Sequence, residues 1–181
     1  MKVITLSLSY LCLLVLTTHC SREALPQAAE STCFEDQGED FGATAYLNDE
    51  PWLAEHANYF QVAENEYWLR LKKAFPDDVN SILQIGFTGI DINRRDTIIL
   101  SNDLGTNVSL AEIIGCDAIA GTDTLYSPAF FQNWMIIEEV SNDRLVAGFQ
   151  VALKKDRDSY LDRPDELFFT KGRIVAKRRE P

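Results

Sequence analysis

Residues 134–153 read WMIIEEVSNDRLVAGFQVAL, two apolar-rich runs on either side of Ser141-Asn142-Asp143-Arg144. Asn and Asp tolerate positive φ, so Asn142-Asp143 suits the two-residue loop of a type I′ hairpin. With that loop Val140 faces Leu145, Ile136 faces Phe149 and Trp134 faces Val151. These pairs make one apolar face, interrupted by Glu138 opposite Ala147. The other face, with Ser141/Arg144, Glu139/Val146, Ile137/Gly148 and Met135/Gln150, is mixed. A slip of one residue would exchange the faces, so burial of the apolar one should hold the register. The stretch is therefore read as a β-hairpin with Trp134, Ile136, Phe149 and Val151 in the core.

Working outward, the same alternation recurs in short segments divided by turn residues. Ala43–Leu47 alternates and ends at Asn48-Asp49, a second tight turn, before Pro51-Trp52-Leu53-Ala54. Asn58–Ala63 and Glu66–Leu71 form the next pair, joined near Glu64-Asn65, with Tyr67, Leu69 and Leu71 on one side and Trp68 and Arg70 on the other. Ser81–Asp91 alternates, its Leu83, Ile85, Phe87 and Gly89 face the more apolar, and Thr97–Leu100 and Leu167–Val175 are further apolar runs. Ser109–Gly115 (SLAEIIG) reads as one helical turn, with Ser109 as N-cap, Glu112 at the capping-box position and Gly115 as the stop. Many short strands with turns near every ten residues argue for an all-β fold, an antiparallel β-sandwich or flattened barrel with at most one short helix.

The chain has 181 residues, enough for one domain with a core, and its 17 basic and 28 acidic residues give a net charge of −11. Such a field repels phosphate backbones, so no nucleic-acid partner is expected. A basic run, Lys171, Arg173, Lys177, Arg178 and Arg179, stands against the trend. A solvated edge strand carrying positive gatekeepers explains it as well as a binding patch does.

The N-terminus carries Lys2 and then a mostly apolar Val3–Leu16. At roughly 14 residues that run is short of the ~20 a spanning helix needs, and it reads as a signal peptide over residues 1–19. Residues 20–40 are polar and acidic with no apolar period, a flexible tether spanning roughly 25 Å. The single all-β domain then runs over 41–181. With Cys12 removed and Cys20 at the processing site, Cys33 and Cys116 remain. A possible disulfide between them would close a loop of about 80 residues, worth on the order of 4 kcal/mol; two unpaired thiols are the alternative.

Familiar catalytic patterns are missing from the domain. G-x-S-x-G, Walker, G-x-G-x-x-G and H-E-x-x-H motifs do not occur, and the domain holds one histidine, His56. One imidazole without a cysteine cluster is a poor zinc site, so no metal and no cofactor is expected. Asp91–Asp96 echoes a calcium loop but lacks its glycine and closing glutamate. Glu64, Glu66, Asp91, Asp96, Asp117, Asp123, Glu138 and Glu139 supply carboxylates that can pair in space, as a glycosidase requires. Glu138 is the first choice among them, because the hairpin register sets it on the apolar face, where its charged form is disfavoured without a partner. A strand passing the rim of its sheet explains the same residue. Trp68, near Arg70, is a candidate ligand contact able to stack on a sugar or an apolar ligand, against a plain packing role. Trp52 and Trp134 are assigned to the core.

Cys20 directly after the h-region resembles the lipobox of bacterial lipoproteins, in the relaxed form of Bacteroidota, although Leu16 lies one place early and His19 replaces the usual small residue. That likeness implies a diacylglycerol on Cys20. A secretory signal cut just after Cys20, releasing a soluble secreted protein, is the other reading. Ala43-Thr44-Ala45 leading to Asn48-Asp49-Glu50-Pro51-Trp52, with Ala147–Val151 and Phe169–Ile174, is similar to small Bacteroidota lipoproteins of unknown function that have a compact all-β domain. The resemblance covers residues 43–177 and implies a membrane-tethered β domain in the periplasm or at the outer membrane; no site residues come with it.

The expectation is thus a lipid-anchored binding or interaction module rather than an enzyme. Its partners would be the membrane, through the N-terminal lipid, and an envelope protein or glycan. An envelope glycan hydrolase using paired carboxylates, or a lipocalin-like carrier with an empty interior, are the alternatives.

Overall fold

The N-terminal hairpin shows how local chemistry becomes structure. Between strands β1 (Gly42–Leu47) and β2 (Glu50–Ala54), Asn48 and Asp49 take φ of 49° and 68°. Positive φ at both central residues is what a type I′ turn demands. Asn48 also fastens the turn to distant chain: its amide donates to Glu166 O at 3.1 Å, and its Oδ1 accepts from Phe168 N at 2.8 Å. The computed structural model describes residues 41–76, 79–102, 105–114, 118–156 and 161–180. Cys20, expected to carry the lipid, and Cys33 and Cys116, the possible disulfide, lie outside the described residues.

Nine further strands follow: β3 (His56–Ala63), β4 (Glu66–Ala74), β5 (Val79–Thr88), β6 (Thr97–Ile99), β7 (Thr106–Ile114), β8 (Ala118–Leu125), β9 (Trp134–Val140), β10 (Arg144–Lys155) and β11 (Glu166–Arg179), with one 3₁₀ turn at Ile92–Arg94. They form one sheet in the order β2-β1-β11-β3-β4-β5-β7-β8-β10-β9-β6, and β10 also pairs with β11. That pairing closes a ring of β3, β4, β5, β7, β8, β10 and β11. Closure rests on a short parallel contact, Lys177–Arg179 of β11 against Asn58–Phe60 of β3. β1–β2 and β9–β6 are flaps added to the free edges of β11 and β10. The fold is all-β, as the alternation implied. No helix of the described residues is long and apolar enough to cross a membrane.

Inward-facing side chains fill the barrel: Leu69 and Leu71 of β4, Leu83, Ile85 and Phe87 of β5, Leu145, Phe149 and Val151 of β10, and Phe169 of β11 are all at most 1% exposed. Tyr67 stacks on Phe87 at 5.5 Å between centroids, and Trp52 meets Phe169 edge-on at 5.1 Å, which ties the β1–β2 flap to the core. Directly opposite Phe149 stands Gly172, where a Cβ would overlap the Phe149 ring, 2.7 Å from Cζ and nearer still to Cε1 and Cδ1. Glycine is the residue that lets this ring lie against the neighbouring strand.

The β9–β10 hairpin corrects the expected register. Val140 does pair with Leu145 and Glu139 with Val146, but the next pair is Ile137 with Ala147. Glu138 is thus an extra residue on β9, a bulge, and the faces exchange beyond it. Met135 and Ile137 are buried at 0% and 1%, whereas Trp134 and Ile136, expected in the core, are half-buried on the outside. Phe149 and Val151 keep their core places. Glu138 likewise leaves the apolar face assigned to it. The turn differs too, since neither Asn142 nor Asp143 has positive φ. It is held instead by Ser141 N to Arg144 O at 2.8 Å, by Ser141 Oγ to Asp143 Oδ1 at 3.2 Å, and by Arg178 N donating to Asp143 O at 2.7 Å.

Two other expectations give way to pairing. The helical turn at Ser109–Gly115 is absent, because Ser109–Ile114 belongs to β7 and pairs with β5 on one side and β8 on the other. A capping box offers about 1 kcal/mol of local preference, less than two ladders and the inward burial of Val108 and Leu110. The basic C-terminal run is not an edge strand. β11 is flanked by β10 on one side and by β1, then β3, on the other.

Candidate functional site

Because β11 is interior to the sheet, its outward basic side chains, Arg173, Lys177 and Arg179, stand on a broad outer face. Register places Arg144 of β10 beside Lys177 of β11, Lys177 beside Asn58 of β3, and Asn58 beside Arg70 of β4. Adjacent strands lie about 4.8 Å apart, so this row crosses roughly 14 Å perpendicular to the strands. Two residues along, a second row runs Arg179, Phe60, Trp68 and Gly86. A cationic row thus lies parallel to an aromatic one. His56 and Lys72, paired across β3 and β4, flank the cationic row on its far side.

The face is partly pre-organised. The Arg70 guanidinium sits 5.2 Å over the Phe60 ring, and Lys177 Nζ lies 5.7 Å over Phe41, where the described chain enters the domain. Trp68 lies flat on the sheet: a Cβ on Gly86 would sit 3.1 Å from three of its ring carbons. One indole face is therefore packed on the Gly86 backbone, and the residue as a whole is half-buried. Its Nε1 donates to Glu66 Oε1 at 3.4 Å, which fixes the ring's rotation. Among the described residues, Arg70, Arg144 and Lys177 form no ion pair. Asn58 Oδ1, between Lys177 and Arg70, has no hydrogen-bond partner, and neither has Arg144 Nε. At the barrel end beside this face, Gln61, Asn142, Asp143, Arg178, Arg179 and Glu180 line an open depression of about 420 Å³.

Of the residues singled out in the sequence, Trp68 stands on this face and Glu138 does not join it. Glu138, on the outer side of the β9 bulge, accepts from Arg173 Nη1 at 3.2 Å, with side chains 44% and 59% exposed. His56 opens β3 rather than a turn, and its Nδ1 is shut off without a partner. In the loop that echoed a calcium site, Asp91 Oδ1 accepts from Asn93 N at 3.0 Å, and these bonds from Asn93 hold the Asp91 carboxyl below its usual range. Among the described residues no group of three potential metal ligands occurs.

One of the candidate carboxylates, Asp123, does meet another in space, but its partner is Glu112, which the sequence pattern assigns to a capping box. Glu112 of β7 and Asp123 of β8 are both fully buried, and Arg163 from the β10–β11 connection bridges them, its Nε 2.5 Å from Glu112 Oε1 and its Nη1 bonded to Asp123 Oδ2. Leu161 N adds a bond to Glu112 Oε2 at 3.2 Å. Burial pushes the Asp123 carboxyl up, Arg163 opposes this, and the Glu112 charge adds to it. Burial pulls the Arg163 guanidinium down, but its bonds to Asp123 and Glu112 outweigh that and hold it above its ordinary value. The arrangement clamps a connection onto the barrel. Its signal lay in the alternation Val108-Leu110-Glu112, which puts Glu112 on the inward side once the segment is a strand. The comparisons add no relative to set beside this geometry: no family model matches the chain, and neither does any curated protein or solved structure.

Proposed function

We propose that this chain is a binding module of the cell envelope, tethered by a lipid on Cys20 and presenting the outer face of β3, β4, β10 and β11 to its partner. The observation that carries the reading is the row Arg144, Lys177 and Arg70, three cations without carboxylate partners among the described residues, beside the flat ring of Trp68. Unpaired cations on one face of a chain with net charge −11 form a local attractive site in a repelling field, a pattern that selects partners by orientation. The packed interior supports this reading over a carrier, since large side chains occupy the space a ligand would need. The hydrolase alternative finds less support. Glu138 is engaged with Arg173 outside, and the buried pair Glu112 and Asp123 is neutralised in part by Arg163.

Two measurements test the proposal. Metabolic palmitate labelling should mark the wild-type chain and not Cys20→Ala; equal labelling removes the anchor. The anchorless Cys20→Ala chain should still be retained by purified envelopes, and the added pair Arg70→Glu and Lys177→Glu should release it. Retention unchanged by charge reversal would place the binding surface elsewhere.

A further inference from the structure

The two parallel rows say more than that the partner is anionic. We infer that the ligand is an acidic polysaccharide, a linear chain of sugar rings bearing carboxylates, laid across β4, β3, β11 and β10; this rests on the binding-face reading above. Trp68 is half-buried on the outer face, its ring held flat at a fixed height over Gly86, the geometry on which an apolar sugar face stacks. Arg70, pinned over Phe60, stands two residues along the same strand; Lys177 lies two strands beyond it, across Asn58, and Arg144 one strand further. A polymer running along the aromatic row directs acidic substituents from one side onto the cationic row.

The acceptors on the face separate this ligand from other polyanions. Glu66 places a carboxylate beside Trp68, and Asn58 Oδ1 has no donor between Lys177 and Arg70. Asn58 Oδ1 is buried, so a ligand reaches it by displacing one of the cation–π contacts, Arg70 on Phe60 or Lys177 on Phe41. Sugar hydroxyls supply donors to both acceptors while the sugar carboxylates meet the cations. A DNA phosphodiester backbone and a phospholipid phosphate group supply no such donors, so Glu66 and Asn58 would go unmatched beside them. Three unpaired cations also suit one charge per ring or fewer better than a nucleic acid's dense charge on a chain of net −11.

The test is titration calorimetry of the full chain carrying Cys20→Ala with polygalacturonate, alginate and hyaluronate. Methyl-esterified polygalacturonate serves as the neutral equivalent, and oligo(dT) and phosphatidylglycerol vesicles as the other anions. At least one acidic glycan should bind, weakening as salt rises, and the methyl ester should not. Trp68→Ala should weaken binding about tenfold while Trp68→Phe, which keeps a flat ring, retains most of it. Arg70→Glu with Lys177→Glu should abolish it, each variant being checked by its melting curve. Equal binding of the ester, or full affinity in Trp68→Ala, overturns the inference. Preference for oligo(dT) or vesicles, lost on charge reversal, overturns the glycan and leaves the binding face standing. Binding indifferent to charge reversal, or no binding to any of these anions, overturns both.

Discussion

Gly172→Ala is the smallest substitution that should damage this barrel severely. The new methyl would lie 2.7 Å from Phe149 Cζ and closer still to Cε1 and Cδ1, against an ordinary carbon contact of about 3.5–4.0 Å. Phe149 is fully buried, directly opposite Gly172 in the β10–β11 ladder and 6.4 Å from the Phe169 ring, so it has no empty space to enter. Overpacking of this kind costs about 3 kcal/mol, a fall in Tm of roughly 10 °C for a domain of this size. Phe149→Ala alone should cost ~3–5 kcal/mol through the cavity it leaves. The double variant is the informative one, because the methyl added at position 172 then enters vacated space. Its cost should fall short of the sum by about 2 kcal/mol, read from urea unfolding of the four proteins. Additive costs within about 0.5 kcal/mol would show that Phe149 does not lie on Gly172.

Arg163→Met should destabilise by ~3–5 kcal/mol, since it leaves Glu112 and Asp123 buried without their cation; a melt within ~1 kcal/mol of wild type would dissolve the clamp. The raised Asp123 pKa has a sign: its contribution is fully present below the ordinary carboxylate range and is lost as pH rises through the folded-state value. Unfolding free energy of wild type relative to Asp123→Asn should therefore increase as pH falls from 7 into the acid range, and a flat or decreasing difference would contradict the assignment. Glu138→Ala, removing a half-exposed pair with Arg173, should shift stability by no more than ~1 kcal/mol, and a larger loss in chemical denaturation would mean the bulge depends on it. Asp49→Gly should stabilise by less than about 1 kcal/mol, because glycine relieves a left-handed cost of about 1–2 kcal/mol and gives back about 0.4–1 kcal/mol in unfolded-chain entropy; a loss would show that the Asp49 side chain itself holds the turn.

The sequence by itself determined what depends on local chemistry and on period. Alternating apolar residues at Leu83, Ile85 and Phe87, and at Tyr67, Leu69 and Leu71, marked strands and their inward faces, because a strand's side chains must alternate whatever its neighbours. Asn48-Asp49 announced its turn for the same reason: few residue pairs accept two positive φ values. The tertiary structure decided everything that depends on which strand lies beside which. The bulge at Glu138 exchanged Trp134 and Ile136 for Met135 and Ile137, since the surface to be covered lies on another strand and leaves no mark in the hairpin's own pattern. Ser109–Ile114 became a strand because β5 and β8 offered ladders on both sides, a gain that no capping signal registers. The candidate site was half legible. Trp68 stood out as an outward aromatic, but its cationic row comes from Arg144, Lys177 and Arg70, residues far apart in the chain. Their alignment is produced by the β10–β11 and β11–β3 pairings that close the barrel, contacts of long sequence separation whose register is fixed by the shared core.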